Sequence, residues 1–146
     1  MTETTARDRS DAGRVGKCLD ADLLRTLFDK VYVINLPERT DRKREISDQL
    51  ESIGLSLGDP LVCLFPAIRP EDKGAFPSIG ARGCFASHLE ILGLAVAEGH
   101  RSILILEDDM DWTCLALDPE GDVASALTGT PWDFLHGGPG HDGSRD

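Results

Sequence analysis

The chain has 146 residues, of which 40% are hydrophobic, and this is enough for one domain with a sizeable core. Its formal net charge of −11 argues against a general nucleic-acid-binding protein, which would need a basic surface. The charge is uneven, because residues 1–73 hold 12 basic and 14 acidic side chains whereas residues 74–146 hold 3 and 12. One sheet could therefore offer a cation site from the acidic half beside a phosphate-binding flank from the other.

The cysteines and the N-terminus bear on compartment and metal content. No two of the four cysteines form a CxxC pair, which argues against a zinc site. Cys63 and Cys84 stand in apolar surroundings and are expected to be buried thiols. The N-terminus is polar and lacks the apolar segment of a signal peptide, and no run approaches the ~18 apolar residues of a membrane span. These features predict a cytoplasmic protein without a transmembrane segment.

The first third of the chain reads as a tail, a helix and a strand. Residues 1–17 are polar and mixed in charge, which predicts a disordered tail. Residues 19–29 have apolar side chains at helical spacing and predict a short helix at the edge of the domain. Residues 31–36 are β-branched and aromatic, and they predict a strand that Pro37 ends.

A basic helix is predicted directly after that strand. Thr40 or Asp41 can cap its first turn, and Gly54 can end it. Its first turns carry a basic cluster, although cations at a helix N-terminus oppose the macrodipole. The cluster consists of Arg42, Lys43 and Arg44. It is interpreted either as a phosphate-binding site or as a solvated face offset by nearby carboxylates, and both interpretations stay open.

A second strand and a long helix follow. Residues 61–65 predict the strand, and the loop at residues 66–80 is long and rich in proline and glycine, which is typical of a functional segment. Residues 83–98 predict the helix, with Ser87 and His88 in its first turns. By itself, His88 is better explained as a partly buried, hydrogen-bonded histidine than as a functional one.

The next strand ends in carboxylates. Residues 103–106 are aliphatic and predict a buried parallel strand covered on both faces, which runs directly into Glu107, Asp108 and Asp109. Open α/β sheets bind ligands at this end of their strands. Adjacent anions repel one another unless a cation lies among them, and Mg²⁺ or Mn²⁺ binds carboxylates together with substrate phosphates. The alternative is a solvated acidic turn, which the apolar run before it disfavours.

The remainder contributes little to the core. Residues 111–127 fit no single element, residues 131–136 predict a last short strand, and residues 137–146 predict a flexible, glycine-rich end. The alternation of helices and strands predicts an α/β fold, with a mostly parallel sheet flanked by helices in one domain at residues 18–136.

Three motifs occur in the order and at the rough spacing of a known family. They are Val33-Ile34-Asn35-Leu36 with Arg39 and Arg42-Lys43, then Gly83-Cys84-Phe85-Ala86-Ser87-His88, and then Ile105-Leu106-Glu107-Asp108-Asp109. Over residues 31–136 the chain resembles glycosyltransferase family 25, the lipopolysaccharide-biosynthesis transferases related to the collagen galactosyltransferases.

The resemblance implies a GT-A fold, which is Rossmann-like, and a nucleotide-sugar donor, usually a UDP-sugar. It implies Mn²⁺ or Mg²⁺ at a DxD-like motif formed by Glu107, Asp108 and Asp109, with Asp109 and Glu107 as catalytic residues. It also implies a set of residues that hold the donor. These are Asn35, Leu36, Arg39, Arg42, Ser87, His88 and Asp108.

The resemblance further implies a saccharide or glycolipid acceptor in lipopolysaccharide biosynthesis and a cytoplasmic location, peripheral at the inner membrane face. Family members usually extend further, so the domain is expected to be incomplete at its C-terminus and poorly active. One alternative is a nucleotide-sugar- or partner-binding module with the same core and no turnover. Another is a metal-dependent phosphotransfer domain. This alternative is weaker, because the sequence shows no second strand that ends in carboxylates.

Overall fold

The computed structural model describes residues 19–112, 122–129 and 131–137. Over these residues the chain forms four helices and three strands. They are α1 (Ala21–Leu27), β1 (Lys30–Asn35), α2 (Thr40–Ser52), β2 (Val62–Pro66), α3 (Ile79–Ala97), β3 (Ile103–Glu107) and α4 (Asp122–Gly129). The predicted α/β fold is confirmed. The predicted tail at residues 1–17 and residues 138–146 of the predicted flexible end lie outside the described residues.

Strand β1 is the centre of a parallel sheet with the order β2-β1-β3. Its Val31 lies opposite Val62 of β2, and its Ile34 lies opposite Phe65 of β2 and Glu107 of β3. Because all three strands run in the same direction, their carboxyl ends meet at one edge of the sheet. The acidic residues after β3 therefore lie beside the chain that leaves β1.

Both faces of β1 are covered by helices. Val31 and Val33 belong to a core cluster shared with α1 and α2, whereas Tyr32 and Ile34 pack with Ile91 of α3 on the other face. All four strand residues are buried, as expected for a central parallel strand, in which neighbouring side chains point to opposite faces. The fully buried core residues that α1 and α2 add are Leu24, Ile46 and Leu50.

Strand β3 is parallel and packed on both faces, as predicted, because Leu104 and Leu106 pack in one core cluster and Ile103 and Ile105 against the other, but its burial is only partial. Leu106 is buried, whereas Ile103, Leu104 and Ile105 are only half-buried. The reason is its place in the sheet, since in the described part of the chain β3 pairs with β1 alone. An aliphatic run indicates a strand, but it does not distinguish a central strand from an edge strand.

Two helix starts differ from the predictions. Helix α2 begins at Thr40 with Arg39 in the capping position and without a side-chain capping bond, so the predicted caps Thr40 and Asp41 are wrong. Helix α3 begins at Ile79, four residues before the predicted start, because the Ser78 hydroxyl accepts a hydrogen bond from the amide of Ala81. Ser87 and His88 consequently lie in the third turn of α3, later than the first turns in which they were predicted.

The helix ends agree with the sequence. Gly54, with a φ of 87°, follows α2, and its amide donates to Glu51 while the amide of Leu55 donates to Leu50. Gly99, with a φ of 74°, ends α3 in the same way, because its amide donates to the carbonyl of Val96 and the amide of His100 donates to the carbonyl of Ala95. This pair of bonds is the Schellman motif, and glycine adopts its left-handed conformation without a Cβ penalty.

The predicted strand at residues 131–136 is wrong, since the structure places no strand there. Trp132 instead packs its ring against Phe28 and donates its indole N–H to the carbonyl of Leu127. Phe134 is 82% exposed. The segment has strand-like residues, but a strand also needs a hydrogen-bonding neighbour, and here a single anchored tryptophan holds the segment.

Helix α3 has one covered face and one open face. Gly83, Ser87, Ile91 and Ala95 face the core, whereas an apolar stripe opposite them is exposed. The stripe consists of Phe85, Leu89, Leu92 and Val96. Among the described residues, α3 is the one helix long and apolar enough to cross a membrane. Length and composition are weak evidence for a span, because core helices meet the same criterion.

An ion pair ties α1 to the turn before β2. The guanidinium of Arg25 donates from both terminal nitrogens to Asp59, over 2.9 and 2.6 Å, and the amide of Leu61 donates to the same carboxylate. These bonds, chiefly those from Arg25, lower the pKa of Asp59 to about 2.

Asp59→Asn is expected to lower the melting temperature at pH 7. The folded-state pKa of Asp59 lies below the ~3.9 of an unfolded aspartate, so the pair stabilises the fold above ~pH 4 and loses that contribution as the pH falls through about 2. Thermal denaturation of parent and variant should show a difference that is full at pH 7, shrinks below ~pH 4 and is lost as the pH falls through about 2. Asp48→Asn, at an exposed position of α2, is the control. A difference that does not change with pH would contradict this account.

Candidate functional site

A cleft of about 490 Å³ opens at the carboxyl ends of the strands, between the chain after β2 and the first turns of α3. This volume is in the range of small-molecule sites. Six of the predicted site residues line it, namely Leu36, Arg39, Ser87, Glu107, Asp108 and Asp109. Asn35, Arg42 and His88 stand behind or beside this lining. The structure thus brings all three motifs to one edge of the sheet.

Asn35 connects the end of β1 to the acidic turn, which consists of Glu107, Asp108 and Asp109. Its side chain is buried, and its amide donates to Asp108 over 2.7 Å and to the carbonyl of Arg39 over 3.3 Å. A buried amide must find partners, and here both of them lie in loops that border the cleft. Asn35 therefore holds the acidic turn and the start of α2 together.

The acidic turn is also tied at its far end. Trp112 donates from its backbone amide and from its indole N–H to Gln49 of α2, each over 2.9 Å. Within the turn, the amide of Met110 donates to the carbonyl of Glu107. The turn is thus fixed against α2, and this places Asp109 near the basic start of that helix.

Each carboxylate of the turn has a different neighbour. Glu107 accepts a hydrogen bond from the Cys84 thiol over 3.4 Å, and Asp108 accepts from Asn35. An oxygen of Asp109 lies 4.0 Å from the guanidinium of Arg42, which also lies 3.9 Å from Glu45. Exposed pairs at this distance contribute little to stability. Of the three carboxylates, that of Asp109 therefore has the fewest close contacts.

The three carboxylates of the acidic turn are ligands of the type that hard divalent cations prefer, although among the described residues their oxygens do not form a group within 4.8 Å of one another. Consecutive carboxylates line the same cleft, and oxygen ligands of this kind suit Mn²⁺ and Mg²⁺. Arg39 forms a bidentate pair with Asp41 over 3.0 and 2.8 Å, which lowers the pKa of Asp41, and it also lines the cleft. Cationic and anionic side chains thus lie together at its rim.

Ser87 and Gly83 shape one wall of the cleft. The Ser87 hydroxyl is fully buried, donates to the carbonyl of Gly83 and accepts from the amide of Ile68 over 2.9 Å. A Cβ on Gly83 would come within 2.5 Å of the Ile68 carbonyl oxygen. The chain after β2 therefore rests directly on the backbone of α3, and Ser87 has an anchoring function.

Cys84 and His88 lie one turn apart on α3. The prediction that Cys84 is buried is wrong, since the residue is exposed, and Cys63 is half-buried. The sheet-facing positions of α3 belong to Gly83 and Ser87, which leaves Cys84 directed at Glu107. Local desolvation, and then the hydrogen bond to Glu107, raise the pKa of the Cys84 thiol. His88 is partly buried and hydrogen-bonded to the Cys84 carbonyl, as the plainer interpretation predicted.

Two parts of this site were not identified by residue from the sequence, although the loop at residues 66–80 was predicted to be a functional segment. One is the wall after β2, which Ile68, Arg69 and Pro70 contribute. The other is a group formed by Cys84, His88 and Glu107, whose ligand atoms all lie within 4.8 Å of one another. The i, i+4 spacing of Cys84 and His88 on a predicted helix was the available signal. The third member comes from another element, which spacing alone does not reveal.

Comparison with protein families matches residues 28–113 to glycosyltransferase family 25 (LPS biosynthesis protein). The chain belongs to glycosyltransferase family 25. The matched region runs from the end of α1 through β3 and the acidic turn, and so includes the whole lining of the cleft. A glycosyltransferase role in general follows from membership of family 25. Neither the curated proteins nor the solved structures give a match.

Gly83→Ala is expected to lower the free energy of unfolding by ~1–3 kcal/mol, because its methyl group would overlap a backbone carbonyl. Gly93→Ala is a matched control on the same helix, where an added Cβ meets nothing within 4 Å. That variant should raise the free energy of unfolding by ~1 kcal/mol, since alanine is the better helix former. Urea denaturation of both variants measures the two effects. Equal stabilisation by both substitutions would exclude the close approach at Gly83.

Proposed function

We propose that this family 25 glycosyltransferase binds a nucleotide-sugar donor, a UDP-sugar, in the cleft and transfers its sugar to a saccharide or glycolipid acceptor. The observation that carries the proposal is the acidic turn, whose three carboxylates line the same cleft as Arg39 and whose Asp109 lies 4.0 Å from Arg42. A nucleotide diphosphate is anionic and would be repelled by these carboxylates unless a cation lay between them. Acidic and basic residues together are what such a donor needs.

The carboxylates of the acidic turn would bind the metal, and each would have a different role. Glu107, Asp108 and Asp109 would hold Mn²⁺ or Mg²⁺, which when bound stabilises charge on the leaving diphosphate. Asn35 orients Asp108 by its 2.7 Å hydrogen bond, so that this carboxylate is preorganised before any ligand arrives. Asp109 has the fewest close contacts to give up, and we therefore expect it to be the principal ligand.

The other cleft residues would bind and position the donor. Arg39 and Arg42 supply positive charge where the phosphates must lie, and Leu36 adds apolar surface at the end of β1. Ser87 would act indirectly, because its hydroxyl fixes the chain at Ile68 and so the wall of the cleft. Such positioning matters because correct geometry can supply ~7–11 kcal/mol of a reaction barrier. A binding module without turnover is not favoured by membership of this family.

A panel of nucleotide sugars tests the proposal. In a thermal-shift assay with Mn²⁺, a UDP-sugar should raise the melting temperature of the chain, because a ligand that binds only the folded state stabilises it. The preferred sugar can then be used in transfer assays with saccharide and glycolipid acceptors. Absence of any shift across the panel at saturating concentrations would contradict donor binding in this cleft.

Asp109→Asn should weaken Mn²⁺-dependent UDP binding about tenfold or more, because contacts to charged groups are worth ~1.5–3 kcal/mol. Asp111→Asn is a matched control, since it removes the same charge two residues away at an exposed position that does not line the cleft. Calorimetry with UDP and Mn²⁺ compares the two variants. Equal affinities would remove Asp109 from the site.

Arg42→Ala should weaken UDP binding by about tenfold, since it loses a charge-assisted contact to phosphate. The melting temperature should change little, because the pairs of Arg42 with Glu45 and Asp109 are long and partly exposed. Arg44→Ala, which removes the same charge from an exposed position of α2, is the control. If both variants bind UDP like the parent, the basic cluster is a solvated face.

A further inference from the structure

Three chemically different ligands converge between α3 and β3. The Cys84 sulfur lies 3.4 Å from a carboxylate oxygen of Glu107, and His88 adds an imidazole nitrogen one helical turn along from Cys84. One ligand atom from each residue lies within 4.8 Å of the other two. Among the described residues this is the one such group of histidine, cysteine and carboxylate side chains.

These separations are close to those of a tetrahedral site. Ligand atoms ~2.0–2.3 Å from a tetrahedral zinc ion lie ~3.5 Å from one another. The sulfur-to-oxygen distance of 3.4 Å already has this value, and the Nδ1 of His88 lies 3.7 Å from the same sulfur. Because α3 and β3 are both anchored to β1, the backbone need not move.

The His88 imidazole is held beside the Cys84 sulfur by a contact with the backbone of its own helix. Its Nδ1, the ring nitrogen near the sulfur, also lies 2.9 Å from the carbonyl oxygen of Cys84, so binding an ion through Nδ1 would replace this hydrogen bond. With Nδ1 as the ligand atom, Nε2–H would be the ring N–H left to donate to another partner, as the second N–H of ligating histidines commonly does. The exposure of Cys84 leaves the ion a path of entry from solvent.

We propose that Cys84, His88 and Glu107 form a binding site for a thiophilic divalent cation of the zinc class. Thiolate and imidazole ligands select such ions, whereas Mn²⁺ and Mg²⁺ prefer oxygen. The site therefore differs in chemistry from the hard-cation site proposed at the acidic turn, and it goes beyond the proposed transfer reaction. Three protein ligands leave the fourth position of a tetrahedral ion open to water or to a ligand from the cleft.

Glu107 belongs both to this site and to the hard-cation site proposed at the acidic turn, so an ion at one site affects the other. A zinc-class ion held by Cys84 and His88 would engage the Glu107 carboxylate, which already accepts a hydrogen bond from Cys84 on α3. The acidic turn then has two carboxylates left for a hard cation. Occupancy of the one site therefore weakens Mn²⁺ binding at the other.

Cobalt titration tests the site without any nucleotide, so that its failure would leave the proposed function standing. The full chain is used under reducing conditions, with Cys18→Ser and Cys114→Ser as a common background. Co²⁺ should produce a sulfur-to-metal charge-transfer band and the intense visible bands of tetrahedral cobalt, and Zn²⁺ should abolish both. Mg²⁺ at the same concentration should not.

Cys84→Ser, His88→Gln and Glu107→Gln should each weaken zinc binding by more than ~100-fold, since even outer-shell partners are worth 10–100-fold. Cys63→Ser, which alters the other described cysteine, is the matched control and should keep the parent affinity. In the unsubstituted chain, Zn²⁺ should protect Cys84 from alkylation, as read by mass spectrometry. A cobalt spectrum unchanged in Cys84→Ser, or alkylation of Cys84 unaffected by Zn²⁺, would overturn the proposal.

Discussion

Strand β1 is hydrogen-bonded to a parallel neighbour along each edge and is covered by helices on both faces. This double attachment fixes the direction of β2 and β3, and hence the common edge at which all three strands end. The cleft, the acidic turn and the start of α2 all lie at that edge. Loss of pairing on either side of β1 would therefore separate residues that act together, even if each element stayed intact.

Several of these features could be predicted from local sequence. The β-branched run at residues 31–36 and the aliphatic run before Glu107 indicate strands by their own composition, and Gly54 and Gly99 end helices because of their own backbone freedom. The grouping of Arg39, Arg42 and the acidic residues followed from alternating elements, since parallel strands bring their ends together. The family motifs gave the same grouping.

Features that depend on distant neighbours could not be predicted in this way. The partial exposure of β3 depends on its place at an edge, and residues 131–136 have no strand partner in the described structure. Cys84 was expected in the core because its sequence neighbours are apolar, yet the close contact of Gly83 with Ile68 sets the rotation of α3 and leaves Cys84 at the cleft. Its pairing with Glu107 joins residues 23 positions apart.

The exposed stripe on α3 determines how this chain behaves in concentrated solution. At neutral pH a formal net charge of −11 keeps molecules apart in spite of the apolar surface formed by Phe85, Leu89, Leu92 and Val96. Near the isoelectric point, at about pH 4.7, that repulsion disappears while the stripe remains. Colloidal stability is consequently lowest in mildly acidic buffer, and high salt, which screens the same charge, acts in the same direction.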